Sequence, residues 1–368
     1  YTYTNTKDES GNGHQGALRH LRTVDRQTAP LPYSSTSAGN WDTNATWANG
    51  SMQTKPGATS LANTSVTVDW NIVETNHNIT MDNTGLPAGN NGNRNVLALF
   101  VDSNELTVDG DNSTDTGYGL TVTHYLNLDG NIDLNGESQL IQTEDSDLEV
   151  ASSGVLERDQ QGTRDLYTYN YWSSPVGVSN TSSNNNSYTL PNIFRDGTNP
   201  ASPTAINFLT SGYNGTSGSP IGIADYWIWK YSNQAADDYP SWQHVRSTGT
   251  ISPAEGFTMK GVANTSGNIT LEQNYTYIGK PNNGDINLTM SSGNEYLVGN
   301  PYPSAMDANQ FILDNISVAS GGNNPSGNII NGVLYFWDHF AVSTHNLAQY
   351  QGGYATYTLM GGVEATST

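Results

Sequence analysis

No cysteine occurs anywhere in the 368 residues, so disulfides, thiolate zinc sites and thiol nucleophiles are all excluded. Charge is scarce as well. Only 13% of residues are Asp, Glu, Lys or Arg, where soluble domains usually carry roughly 25%. Basic residues are the scarcest, with 13 Lys and Arg against 34 Asp and Glu and a net charge of −21. A surface of that sign repels nucleic acid and anionic lipid and leaves divalent cations as natural partners. No run approaches the roughly 20 apolar residues that span a bilayer, so the chain is not expected to be membrane-embedded. Motifs for chemistry are missing too: there is no G-x-S-x-G elbow, no H-E-x-x-H and no phosphate-binding glycine loop between strand and helix. The chain reads as a non-enzyme that requires no cofactor.

Asn, Ser, Thr and 38 Gly take the place of charge, and the aromatic supply is 21 Tyr and 8 Trp against 7 Phe. Gly and Asn tolerate positive φ, and Ser and Thr bond locally to the backbone, so turns are cheap to make. Tyr and Trp suit strand faces with one end packed and the other wet. Disordered chains are short of aromatic and β-branched residues; this one is not, so its mean hydropathy of −0.55 belongs to a folded, all-β protein. The length suggests two domains. The start, YTYTNTKDES, reads as a mature or truncated N-terminus without a signal peptide.

Residues 1–38 read as an N-terminal extension in which YTYT is a candidate edge strand. Trp41 and Trp47, set among turn formers in 39–50, are expected to cap a core. From Ser65 to Glu157 short apolar pairs alternate: Ile79/Met81, Leu106/Val108, Leu120/Val122, Leu126/Leu128, Ile132/Leu134 and Leu148/Val150. Each is a one-faced strand followed by a turn such as DGD or LNGE. The units are too short and too closely spaced for long hairpins, so 39–160 is expected to be a β-solenoid-like stack. The irregular repeat keeps a β-sandwich open as the alternative. Residues 161–368 are richer in aromatics and Pro and read as a β-sandwich-like domain with one helix. That helix is expected over Ala305–Leu313, started by Ser304 and Asp307 as a capping box. Segments 180–187 and 319–328 read as exposed loops.

The metal candidate is DGDNSTD, where Asp109, Asp111, Ser113 and Asp115 offer alternating oxygens suited to Ca²⁺. It is not an EF-hand, since Leu120 stands where the bidentate Glu belongs, and a polar turn explains it as well. TEDSDLE, with Asp145, Asp147 and Glu149 on one strand face, is a weaker version. Trp229, Tyr239 and Trp242 are candidates for stacking on sugar rings; in DYWIWKY, alternation puts Trp227, Trp229 and Tyr231 on one face, and the simpler reading makes that face core. Glycan hydrolysis needs two facing carboxylates, and the sequence selects no pair. A lyase needs clustered basic residues, whereas Arg94 stands almost alone in 65–157. Asp338, His339 and His345 read as a strand end followed by a surface loop.

Six blocks carry a resemblance: NYWSSPVG (170–177), SPAEGFTMKG (252–261), YIGKPNNGDI (277–286), YLVGNPYPSAMDANQFI (296–312), GVLYFWDH (332–339) and YQGGYATYTLMGGV (350–363). In this order they resemble large secreted proteins of flavobacteria and their relatives, similar to gliding and surface adhesins exported by the type IX secretion system. The resemblance covers roughly 165–363 and implies a secreted or cell-surface location. It further implies an adhesive or filament-forming role, with surface glycans or other surface proteins as partners. Those proteins usually continue into a C-terminal sorting domain, which is not visible here. Two other functions stay open: a carbohydrate-binding region of a secreted polysaccharide-active protein, and self-association through edge strands such as YTYTNT.

Overall fold

The computed structural model describes residues 32–48, 56–57, 69–84, 92–111, 113–263, 270–340 and 343–366. The YTYT strand expected at the N-terminus lies outside them. The protein is all-β; the described residues include two α-helices of four and eight residues, α1 (Leu190–Ile193) and α2 (Ala308–Asn315).

The N-terminal part is a double sheet. One layer carries β1 (Tyr33–Ser34), β3 (Ile72–Thr75), β5 (Arg94–Val101) and β7 (Gly119–Leu128), with β9 (Gln139–Gln142) and β10 (Asp147–Leu148) both pairing with β7. The other carries β2 (Gly39–Asn40), β4 (Ile79–Met81), β6 (Glu105–Asp109), β8 (Asn131–Asn135) and β11 (Val155–Thr163). These neighbours run parallel, and from β1 to β8 the chain changes layer at every strand. The apolar pairs of the sequence therefore align across strands. Val73, Leu99, Leu126 and Leu148 form one in-register row, and Ile79, Leu106, Ile132 and Leu156 form another. All eight are buried to within 3% of full occlusion. Fully burying such a side chain stabilises by about 1.5–3 kcal/mol, and these rows are the core of this part.

Tight corners join the layers, and they stack on one another. A Cβ at Gly154 would stand 1.8 Å from the Gly130 carbonyl oxygen, so only glycine lets these two corners approach. The pair Trp41 and Trp47 packs edge to face at 5.2 Å and is buried, as a core cap. Their indole nitrogens donate to Pro56 O and Trp41 O.

Expected and observed boundaries differ in two places. β1 lies inside the anticipated extension 1–38, yet it pairs with β3. The anticipated boundary at 160 falls inside β11, which belongs to both regions: one edge pairs with β8, and the other runs antiparallel to the strand Glu272–Pro281 from Leu156 to Thr163. One nine-stranded sheet thus continues from the N-terminal part into the C-terminal part.

There the core turns aromatic. β12 (Tyr169–Trp172) pairs with the strand Phe257–Lys260. β13 (Val176–Gly177) and β14 (Phe194–Asp196) flank Glu272–Pro281, and β14 pairs on with β15 (Thr204–Ala205). Phe194 stacks on Tyr275 at 5.1 Å, with Trp172 edge-on at 5.7 Å. Segment 180–187, expected as an exposed loop, is half-buried over 183–186 because its amides are used. Asn184 donates to Leu148 O, Asn185 to Asn283 O, and the buried Lys280 ammonium to Val150 O and Asn180 O. Helix α2 starts later than expected. Asp307 is its N-cap and accepts from Gln310 N at 3.0 Å, so Ser304 is outside the helix. Last comes a three-stranded antiparallel sheet, Leu334–His339, Gly352–Thr358 and Gly361–Val363.

Candidate functional site

Alternation along NIDLN and VLERD sends leucine inward and carboxylates outward. Because β6, β8 and β11 are parallel and in register, Thr107, Asp133 and Glu157 form one outward row across three strands. Adjacent strands are about 4.8 Å apart, so Asp133 and Glu157 are direct neighbours. Glu105 and Asp159 extend the patch, and the loop between β14 and β15 closes one side. The result is an open cleft of about 650 Å³ lined by Glu105, Asp133, Glu157 and Asp159 against Asn199–Pro203, with Asp111 and Ser113 also on its wall.

The electrostatics follow from crowding. Burial, then Glu157 and Glu105, push the Asp133 carboxyl up to about 8. Burial and Asp159 push Glu157 up to about 7, against the pull of Arg195. The Arg195 guanidinium is itself committed to Pro191 O, Asn192 O and Phe194 O. Asp159 accepts from Thr276 Oγ1 at 3.0 Å. The cleft therefore holds two carboxyls that keep their protons to higher pH than ordinary acids do, and a carboxyl that keeps its proton can donate a hydrogen bond as well as accept one. The sequence could not select this pair because Asp133 and Glu157 are 24 residues apart. The usable signal was the spacing of the leucine rows, since Ile132 and Leu156 are equally far apart and sit one residue before each acid.

Of the calcium candidates, Asp111 and Ser113 line this same wall. Asp109 accepts from Asn135 Nδ2 at 3.1 Å. Asp111 accepts from Ser113 N at 2.7 Å and Ser113 Oγ at 2.6 Å, which holds its carboxyl below the usual range. Asp115 sits at φ +50 in the turn closed by the Asp111–Thr116 bridge. Among the described residues no group of three or more His, Asp or Glu is placed to hold a metal. In TEDSDLE, Glu149 accepts from Tyr125 Oη and from Ala151 N. Arg94, the isolated basic residue, is buried against Asp42 at 2.6 Å and lines no surface.

The proposed sugar-stacking residues differ in the ring surface they leave free. Residues Asp225–Trp227 form a 3₁₀ turn, which breaks the strand alternation expected through DYWIWKY. Trp229 is half-buried and stacked on His244 at 4.0 Å and 9°, so one ring face is taken. Trp242 packs edge-on against Tyr231 at 5.3 Å, and Tyr239 stands exposed in a 3₁₀ turn.

Free ring surface lies elsewhere, on the C-terminal sheet. Trp337 and Tyr354 are direct register partners, and Tyr335 sits two residues along the same face. Trp337 touches Tyr354 at 5.0 Å and Tyr335 touches it at 6.2 Å. Tyr335, Trp337 and Tyr354 are 56%, 45% and 60% exposed, in contrast to the sealed rows of the double sheet.

His339 and His345 are not on a free surface loop. His339 is buried, and His345 is half-buried and stacked on Trp227 at 4.8 Å.

Residues 210–367 match the model of a family described as a domain of unknown function (DUF8693). That stretch holds Trp227, Trp229, Lys260 and the C-terminal sheet, and it leaves the double sheet and the acidic cleft outside. No curated protein and no solved structure matches the chain. Among the described residues, no helix is long and apolar enough to cross a membrane.

Proposed function

We propose that this chain is part of a non-catalytic, exported bacterial surface protein, adhesive or filament-forming, of the kind that gliding and surface adhesins represent. The observation that carries the reading is the exposed ring face of Tyr335, Trp337 and Tyr354 on the C-terminal sheet. Exposed aromatics of this kind mark contact surfaces more often than they mark packing. The absence of cysteine, the sparse charge and the six sequence blocks in 165–363 support an extracellular setting.

The architecture fits the same reading. The N-terminal double sheet is a β-solenoid-like stalk, because strands alternate between two parallel layers and the row Ile79, Leu106, Ile132 and Leu156 recurs every 24 to 27 residues. The region after β11 is a β-sandwich-like head that presents the contact face. Modest affinity per head suffices where many copies act together.

Carbohydrate binding is the second reading, favoured by the Tyr and Trp composition of that face and by the hydroxyl-compatible carboxyls of the cleft. Binding of the labelled chain to cell surfaces and to a glycan array tests both. The Trp337→Ala variant is expected to lose at least tenfold in surface binding with unchanged stability. If W337A binds like the wild type, the contact face is not this one. Glycan turnover that disappears in Asp133→Asn would replace the adhesive reading with a hydrolytic one.

A further inference from the structure

We propose that Lys260, His345 and Asn214 form an acid-released latch that docks the C-terminal segment onto the rest of the chain. The latch stands on geometry independent of the adhesive reading. Lys260 ends the strand Phe257–Lys260 and is 2% exposed. Its ammonium nitrogen lies 3.7 Å from the Trp227 ring centroid, 4.5 Å from Tyr169 and 5.2 Å from Tyr350. It donates to Tyr350 Oη and faces His345 Nδ1 at 3.2 Å. The other ring nitrogen, Nε2, lies 2.7 Å from Asn214 Oδ1. Tyr350 Oη donates onward to Tyr167 O. His345 and Tyr350 thus tie the segment before the strand Gly352–Thr358 to three separate parts of the chain.

While Lys260 carries its proton, the hydrogen-bond chemistry allows one tautomer. An ammonium can only donate, so Nδ1 must accept and Nε2 must carry the hydrogen that Asn214 Oδ1 accepts. Protonating His345 places a second donor, and a second positive charge, directly against Lys260. Neither group can turn away without leaving the rings it packs on. The imidazolium has no acceptor at Nδ1, and unmade bonds in half-buried space are costly.

Other titratable groups face the pair from every side. Asp165, just before β12, is the nearby carboxylate; one oxygen accepts from Tyr167 N and from Thr168 N and Oγ1, and the other is buried without a partner. His339 faces it from the C-terminal sheet, with Asp338 beside it on the strand, and Tyr167, Tyr169, Tyr213 and Tyr350 complete the surround. Burial and the Lys260 charge pull His345 down to about 4, and burial pulls Lys260 down to about 7, each against the effect of Asp165. Both are bases with lowered values. For His345, docking is fully supported above its ordinary value of 6.5 and is lost progressively as pH falls from there to about 4.

The test is NMR on the full chain with labelled His and Trp, titrated from pH 7.5 to 4.5. The contact between the His345 and Trp227 rings reports docking, and the methyls of Leu99 and Leu126 report the double sheet. In the wild type, the contact between the His345 and Trp227 rings holds at pH 7.5. The undocked fraction then rises at least tenfold towards pH 4.5, since each unit of pKa difference is a factor of ten, while the Leu99 and Leu126 signals stay unchanged. Asn214→Asp supplies a carboxylate to the imidazolium and moves the release midpoint at least one unit towards acid. His345→Gln, followed through the Tyr169–Tyr350 ring contact in a Tyr-labelled sample, removes the pH dependence. A wild-type contact that persists unchanged to pH 4.5 overturns the latch, and so does an N214D midpoint equal to that of the wild type.

Discussion

The two ends of this molecule bury ionisable groups of opposite kind. On the outer face of the double sheet, parallel register places Asp133 beside Glu157, and burial, then crowding, raises both carboxyls. In the C-terminal part, aromatic packing encloses Lys260 and His345, and burial lowers both bases. Their contributions to stability therefore run in opposite directions with pH. The acids weaken the fold as pH rises through their raised values, and the bases weaken it as pH falls. A parallel sheet repeats each position on the next strand, so it readily stacks like charges. Short antiparallel strands joined by long connections bring unlike groups from distant parts of the chain.

The cores differ in the same way. The rows of the double sheet are aliphatic, with Trp41, Trp47 and the Arg94–Asp42 pair buried beside them. Beyond β11, Tyr275 and Tyr277 are buried with unpartnered hydroxyls, and the segments are held by polar staples such as Lys280. The largest expected effect tests the aliphatic side: Leu126→Ala should cost about 3 kcal/mol, because Leu126 is fully occluded between Leu99 and Leu148. Denaturant unfolding would measure it. A loss below about 1 kcal/mol would mean that the rows do not hold the stack.

Asp133→Asn sharpens the electrostatic contrast. Below about pH 4 both forms carry a neutral side chain and should melt together. As pH rises through about 8 the wild type loses stability and the variant does not, leaving D133N ahead by on the order of 2 kcal/mol at pH 9. Thermal melts across that range decide it; parallel curves would mean that the row is not crowded. The smallest effect belongs to α2. Asp307→Ala removes the N-cap bond to Gln310 and should cost about 1 kcal/mol, seen as faster amide exchange in Ala308–Asn315 with the double sheet unaffected.

Much of this fold was legible in residue order. Pairs such as Leu106/Val108 and Ile132/Leu134 announced one-faced strands, and the turn residues between them marked the corners. Trp41 and Trp47 were readable as a core cap because they stand among turn formers. DYWIWKY was legible in part: Trp227 and Tyr231 are buried as the core reading expects, but alternation assumes a continuous strand, whereas Asp225–Trp227 turns as a 3₁₀ helix. The loop 180–187 was misread because its Asn side chains find backbone partners at Leu148 and Asn283, which only the folded chain brings within reach. Asp133 and Glu157 were invisible among 34 acidic residues until register made them neighbours.

By itself the sequence determined the class of structure and the chemistry withheld from it. Period-two alternation with abundant turn formers can bury a face only as strands, and a chain without cysteine cannot perform thiol chemistry. Tertiary structure alone decided which acids share a row, which lysine lies under three rings, and which aromatics stay in water. Those are pairings between residues 24 to more than 180 positions apart, and side-chain type carries no information about a partner that distant.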